Sequence, residues 1–146
     1  MILVGTTHFD NSSGWISGPF DNEFGGDQDV FVMKLNNNGD HQWSSYLGGE
    51  SSEGGGTRGT TVTVDAAGNI LVSSNTQCAW WVARYPADDV TCVQDGYDVD
   101  FNGCTYAFLA KFSPDGEGLW ATYIGGDQGD ITYGLAVDAA GNALVG

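Results

Sequence analysis

Asp98-Val99-Asp100-Phe101-Asn102-Gly103 places an oxygen-bearing side chain at every second position and a glycine at the sixth. This is the opening of a calcium loop. Asp98, Asp100 and Asn102 can converge on one Ca2+ ion because the residues between them point away, and Gly103 permits the sharp turn. The twelfth position is Leu109, where a full EF-hand needs a bidentate Glu, and no helix-forming pattern flanks the loop. An incomplete loop would have to borrow a ligand, for instance from Asp95. Otherwise the same residues read as an Asx-rich turn leading into a strand, and the missing Glu favours that reading.

Just upstream, Trp80, Trp81 and Tyr85 stand near Asp88 and Asp89. Aromatic faces beside hydrogen-bonding acids can hold a sugar or a protein partner, and loops on a rigid frame commonly carry binding. The competing reading is that these rings cover the outer face of a sheet, since Trp is more often buried than displayed. Cys78, Cys92 and Cys104 lie in or at the edge of the same stretch. In an oxidising compartment one pair could staple it, any of three pairings being open, with one thiol left over. There is no C-x-x-C, and His8 and His41 lie far off, so zinc is not expected.

Signals for catalysis are weak. Neither His sits where a Ser-His-Asp arrangement would need its base. No carboxylate pair among the 19 acids is marked by spacing, and Arg58 and Arg84 are too few for an arginine clamp. Gly25-Gly26-Asp27-Gln28-Asp29 and Gly125-Gly126-Asp127-Gln128-Gly129-Asp130 add acids at loops and read as plain turns.

Nineteen acids against four bases give a net charge of −15 over 146 residues. Such a surface repels nucleic acid, which is bound through Lys and Arg. It suits divalent cations or basic partners, or is simply a solvated acidic coat. No run approaches the roughly 18 apolar residues of a membrane span. Met1–Gly5 lacks the basic region and apolar core of a signal peptide and matches a repeat strand instead. The chain begins and ends at the same phase of a repeat, as a piece cut from a longer protein would, so targeting signals are not informative here.

The elements that must position these loops are written twice. Val64-Asp65-Ala66-Ala67-Gly68-Asn69 recurs as Val137-Asp138-Ala139-Ala140-Gly141-Asn142, each copy followed by a short apolar strand. Phe31 to Lys34, Trp43, Tyr46 and Gly48-Gly49 are echoed by Phe108 to Lys111, Trp120, Tyr123 and Gly125-Gly126. One such unit cannot bury its own apolar faces and must stack on its neighbours. Asp65–Asn69 and Asp138–Asn142 predict one type of hairpin, Asn36–Gly39 and Ser113–Gly116 a second.

Each cycle then holds four antiparallel strands, the make-up of a propeller blade. The third strand carries Phe31, Met33 and Leu35 on one face and Val30 and Val32 on the other, so both faces need cover. The first strand has small residues, Thr61, Thr63, Gly134 and Ala136, suited to a crowded centre. The expected fold is therefore an all-β β-propeller segment of four-stranded antiparallel blades in an incomplete ring. Residues 2–49 form a partial blade, 58–126 a full blade with an insertion at 74–105, and 130–146 the start of the next. Closed propellers need about four to eight blades, so further blades of the same parent chain are expected to cover the raw edges.

Asp-Ala-Ala-Gly-Asn plus an apolar strand, then Ala107-Phe108-Leu109-Ala110-Lys111-Phe112-Ser113-Pro114-Asp115-Gly116, then Trp120-Ala121-Thr122-Tyr123-Ile124-Gly125-Gly126, resembles the SBBP-type β-propeller repeat of bacterial secreted and surface proteins. Ser113–Trp120 also approaches the Asp box of sialidase-like propellers, a structural turn, with its glycine one place early. The resemblance implies a multi-bladed extracellular or cell-surface scaffold and carries over no catalytic residue. The expected function is non-catalytic: adhesion, or binding of a protein or carbohydrate partner. The alternatives are part of an extracellular propeller lyase or glycosidase, or a calcium-stabilised spacer.

Overall fold

The computed structural model describes residues 1–49, 52–54, 59–77, 97–98, 105–126 and 129–146. All regular structure among them is strand: β1 (Ile2–Thr7), β2 (Asp29–Leu35), β3 (His41–Leu47), β4 (Thr61–Val64), β5 (Ile70–Thr76), β6 (Tyr106–Phe112), β7 (Gly118–Ile124), β8 (Leu135–Val137) and β9 (Ala143–Val145). They form three open antiparallel sheets whose strands follow chain order, β1-β2-β3, β4-β5-β6-β7 and β8-β9.

The four tight hairpins share one geometry, although the sequence divides them into two types. A capping side chain accepts the backbone N–H groups two and four residues on: Asn36 from Asn38 and Asp40, Asp65 from Ala67 and Asn69, Ser113 from Asp115 and Glu117, Asp138 from Ala140 and Asn142. The fourth residue is Gly39, Gly68, Gly116 or Gly141, with φ of 88°, 86°, 92° and 87°. Only glycine adopts that region without steric penalty, so the capping letter can vary while the glycine cannot.

The sheets bury one another. β5 is buried at every position and β6 at all but Lys111, so neither shows the alternation of a half-solvated strand. On one side, Val30, Val32, Trp43 and Leu47 of the first sheet pack with Ile70, Val72, Phe108 and Phe112 of the second. Each fully buried side chain of this size contributes about 1.5–3 kcal/mol. On the other side, Ser73 Oγ and Thr132 Oγ1 share a hydrogen bond of 2.8 Å, tying β5 to the segment before β8. Across the sheets β1 lies beside β4, and β4 beside β8.

Candidate functional site

Of the calcium-loop residues, Asp98 is described, while Asp100 and Asn102 lie outside the described residues, as do Trp80, Trp81, Tyr85 and the three cysteines. The backbone of Asp98 caps the edge of β7. Its N–H donates to Thr122 Oγ1 (2.9 Å), and its carbonyl accepts from the Tyr123 N–H (2.8 Å) and the Thr122 hydroxyl (3.1 Å). Asp21 does the same to β3: its N–H donates to Ser45 Oγ (2.9 Å), and its carbonyl accepts from the Tyr46 N–H (3.0 Å) and the Ser45 hydroxyl (3.1 Å). In both sheets the connection between the second and third strands of the cycle returns to cover the outer edge, satisfying groups that an open edge leaves exposed. Connections of unequal length hid this equivalence in the sequence.

The residue before each of these aspartates marks a surface. Phe20 meets Phe112 edge-on at 5.1 Å between ring centres and lies against Gly118, so the first sheet's connection seats on the second sheet. Its counterpart Tyr97 is 99% exposed. Trp43 behaves like Phe20. It is 5% exposed, its ring lies over Gly116, and its Nε1 donates to the Pro114 carbonyl at 3.1 Å, which Lys34 Nζ also reaches at 2.5 Å. The counterpart Trp120 is only half-buried, and Lys111 instead pairs with Asp65 at 2.9 Å. The Lys111 ammonium, with the Asn69 amide, holds the Asp65 carboxyl well below the usual carboxylate range. The second sheet thus repeats the edge-covering contacts of the first, with Tyr97 exposed and Trp120 half-buried.

A feature that sequence reasoning missed lies where the first sheet meets the second. Asp29 and Glu53 are both fully buried. Asp29 Oδ2 accepts from the Gly25 N–H (2.9 Å); Glu53 Oε2 accepts from the Gly49 N–H (3.1 Å) and its Oε1 from the Thr76 hydroxyl (2.9 Å). Asp29 Oδ1 has no hydrogen-bond donor. Burial, then the nearby Glu53, pushes Asp29 up to about 8 against the opposing Gly25 N–H, and burial likewise raises Glu53. The segment read as a plain turn therefore ends in a buried acid. The available signal was the acid four residues beyond Gly48-Gly49 and Gly125-Gly126, Glu53 and Asp130, which accepts the Gly49 or Gly126 N–H.

Among the described residues no group of three or more His, Cys, Asp or Glu side chains is arranged to hold a metal ion, and no helix is long and apolar enough to cross a membrane. No family model matches the chain. It is similar to an uncharacterized WD repeat-containing protein, L264, of Acanthamoeba polyphaga mimivirus, at 23% identity over 130 residues, a match covering 80% of this chain and 9% of that protein's length.

Proposed function

We propose that the chain is a non-catalytic repeat scaffold of the β-propeller kind, whose sheets are successive blades and whose loops bind a partner. The observation that carries this reading is the repeated seat: Phe20 and Trp43 rest on Gly118 and Gly116 of the next sheet, while Tyr97 and Trp120 stand ready for the same use. A further module of the same kind, set on the second sheet, would cover them. β4 and β8, the first strands of successive cycles, are neighbours, as inner strands around a common axis would be. Similarity to a protein named for its WD repeats supports a repeat scaffold.

Partner contact falls to the long connection of the second sheet, with Trp80, Trp81 and Tyr85 as the residues whose chemistry suits a protein or carbohydrate surface. Asp98, Asp100 and Asn102 would bind Ca2+ beside it and brace the loop. The extracellular or cell-surface placement follows from the SBBP resemblance alone. Pull-down and glycan-array signals obtained with the chain should be lost in Trp80→Ala/Trp81→Ala, with the fold retained. Unchanged signals, or turnover of a bound polysaccharide, would overturn the reading.

A further inference from the structure

We propose that Asp29 and Glu53 share a single proton, and that this carboxyl–carboxylate pair is a pH-sensitive latch between the first and second sheets. The geometry brings the two carboxyl groups side by side. Asp29 Oδ1 and Glu53 Oε2 converge beside Gly48, where an added Cβ would lie 2.1 and 2.8 Å from them. Both side chains are fully buried, and among the described residues neither has an ion-pair partner. Two buried carboxylates in contact cannot both ionise cheaply, and a proton on one turns mutual repulsion into a hydrogen bond. That proton would also give Asp29 Oδ1 the partner it lacks.

A metal ion fits this donor set poorly. N–H and O–H donors already occupy Asp29 Oδ2, Glu53 Oε1 and Glu53 Oε2, whereas calcium takes about six to eight oxygens. Among the described residues the other groups facing the pair do not neutralise it. Asp21 adds a further negative charge, and the Tyr46 hydroxyl donates to the Phe9 carbonyl at 3.2 Å.

The position makes the pair a latch. Residues 52–54 bridge Gln28, ahead of β2, to Thr76 at the end of β5. The Gly54 N–H donates to the Asn75 carbonyl at 2.7 Å, and the Thr76 hydroxyl donates to Glu53 itself. At the matching place in the second sheet Tyr106 replaces Asp29, and Asp130 is a single acid accepting the Gly126 N–H at 2.8 Å. Among the described residues, two acids face each other at the first joint and one acid stands at the second.

Asp29 holds its proton more tightly when folded than when unfolded. Its contribution is therefore fully present below the unfolded value of 3.8 and is lost as pH rises towards about 8. The test is thermal unfolding of the full chain at pH 5, 7 and 9 in fixed salt, comparing wild type, Asp29→Asn and the control Asp130→Asn. Wild type and Asp130→Asn should lose melting temperature steeply with rising pH. Asp29→Asn, which offers Glu53 an amide donor without titrating, should show a much flatter profile. An infrared carbonyl band of a protonated carboxylic acid should persist in wild type at pH 7, a readout independent of any variant's folding. Parallel profiles for wild type and Asp29→Asn, or absence of that band, would overturn the proposal. So would a rise in the pH 9 melting temperature with calcium chloride over sodium chloride, at matched ionic strength, that wild type shows and Asp29→Asn does not, since a cation would then hold the pair.

Discussion

Trp43 and Trp120 occupy one place in the repeat, each opposite the lysine of the preceding strand, Lys34 or Lys111. Trp43 is closed over by the Pro114–Gly116 turn of the next sheet and gives its N–H to a backbone carbonyl there. Trp120 remains half-buried. The complementary asymmetry appears in the turns: a Cβ added to Gly116 would begin 2.6 Å from the Trp43 ring, whereas nothing lies within 4 Å of the same point at Gly39. One sheet displays a tryptophan without a seat, the other a seat without a tryptophan. The residue's role is thus set by the neighbouring module rather than by its own sheet, as stacked repeats require.

The largest expected effect comes from removing a ring on the doubly covered sheet. Phe108→Ala should cost about 3–5 kcal/mol of unfolding free energy in urea titrations, since Phe108 is fully buried between sheets. Phe31, at the equivalent place, is half-buried and meets Trp15 edge-on at 5.3 Å, so Phe31→Ala should cost about half as much. Equal losses would remove the distinction between covered and open faces.

The turn glycines sharpen the comparison at smaller amplitude. Gly39→Ala should cost only the left-handed backbone penalty, about 1–2 kcal/mol. Gly116→Ala adds a collision with Trp43, raising the loss by about 1–3 kcal/mol of overpacking. The excess should vanish when Trp43→Ala is combined with Gly116→Ala, as a double-mutant cycle would detect.

Much of this architecture was legible in the sequence because it is local. Asp65–Asn69 and Ser113–Glu117 announce their hairpins through a capping side chain and a glycine, and the apolar runs between them become the strands. The unity of the four turns was hidden under different letters, since Asn36, Asp65 and Ser113 cap through the same acceptor geometry. Asp21 and Asp98 were not recognisable as edge-covering residues, because they act through backbone groups that any residue type carries. The meeting of Asp29 with Glu53 depends on how residues 52–54 cross between two sheets, which no local spacing encodes. Asp100, Asn102, Trp80, Trp81 and Tyr85 lie outside the described residues, and their roles rest on residue chemistry.

The claim that successive sheets seat on one another through a tryptophan and a glycine turn is tested most directly by the unfolding free energies of Trp43→Ala and Trp120→Ala, measured side by side in this chain. The predicted result is a loss of about 3–5 kcal/mol for Trp43→Ala and less than half of that for Trp120→Ala. Equal losses, or a larger loss at Trp120, would contradict it.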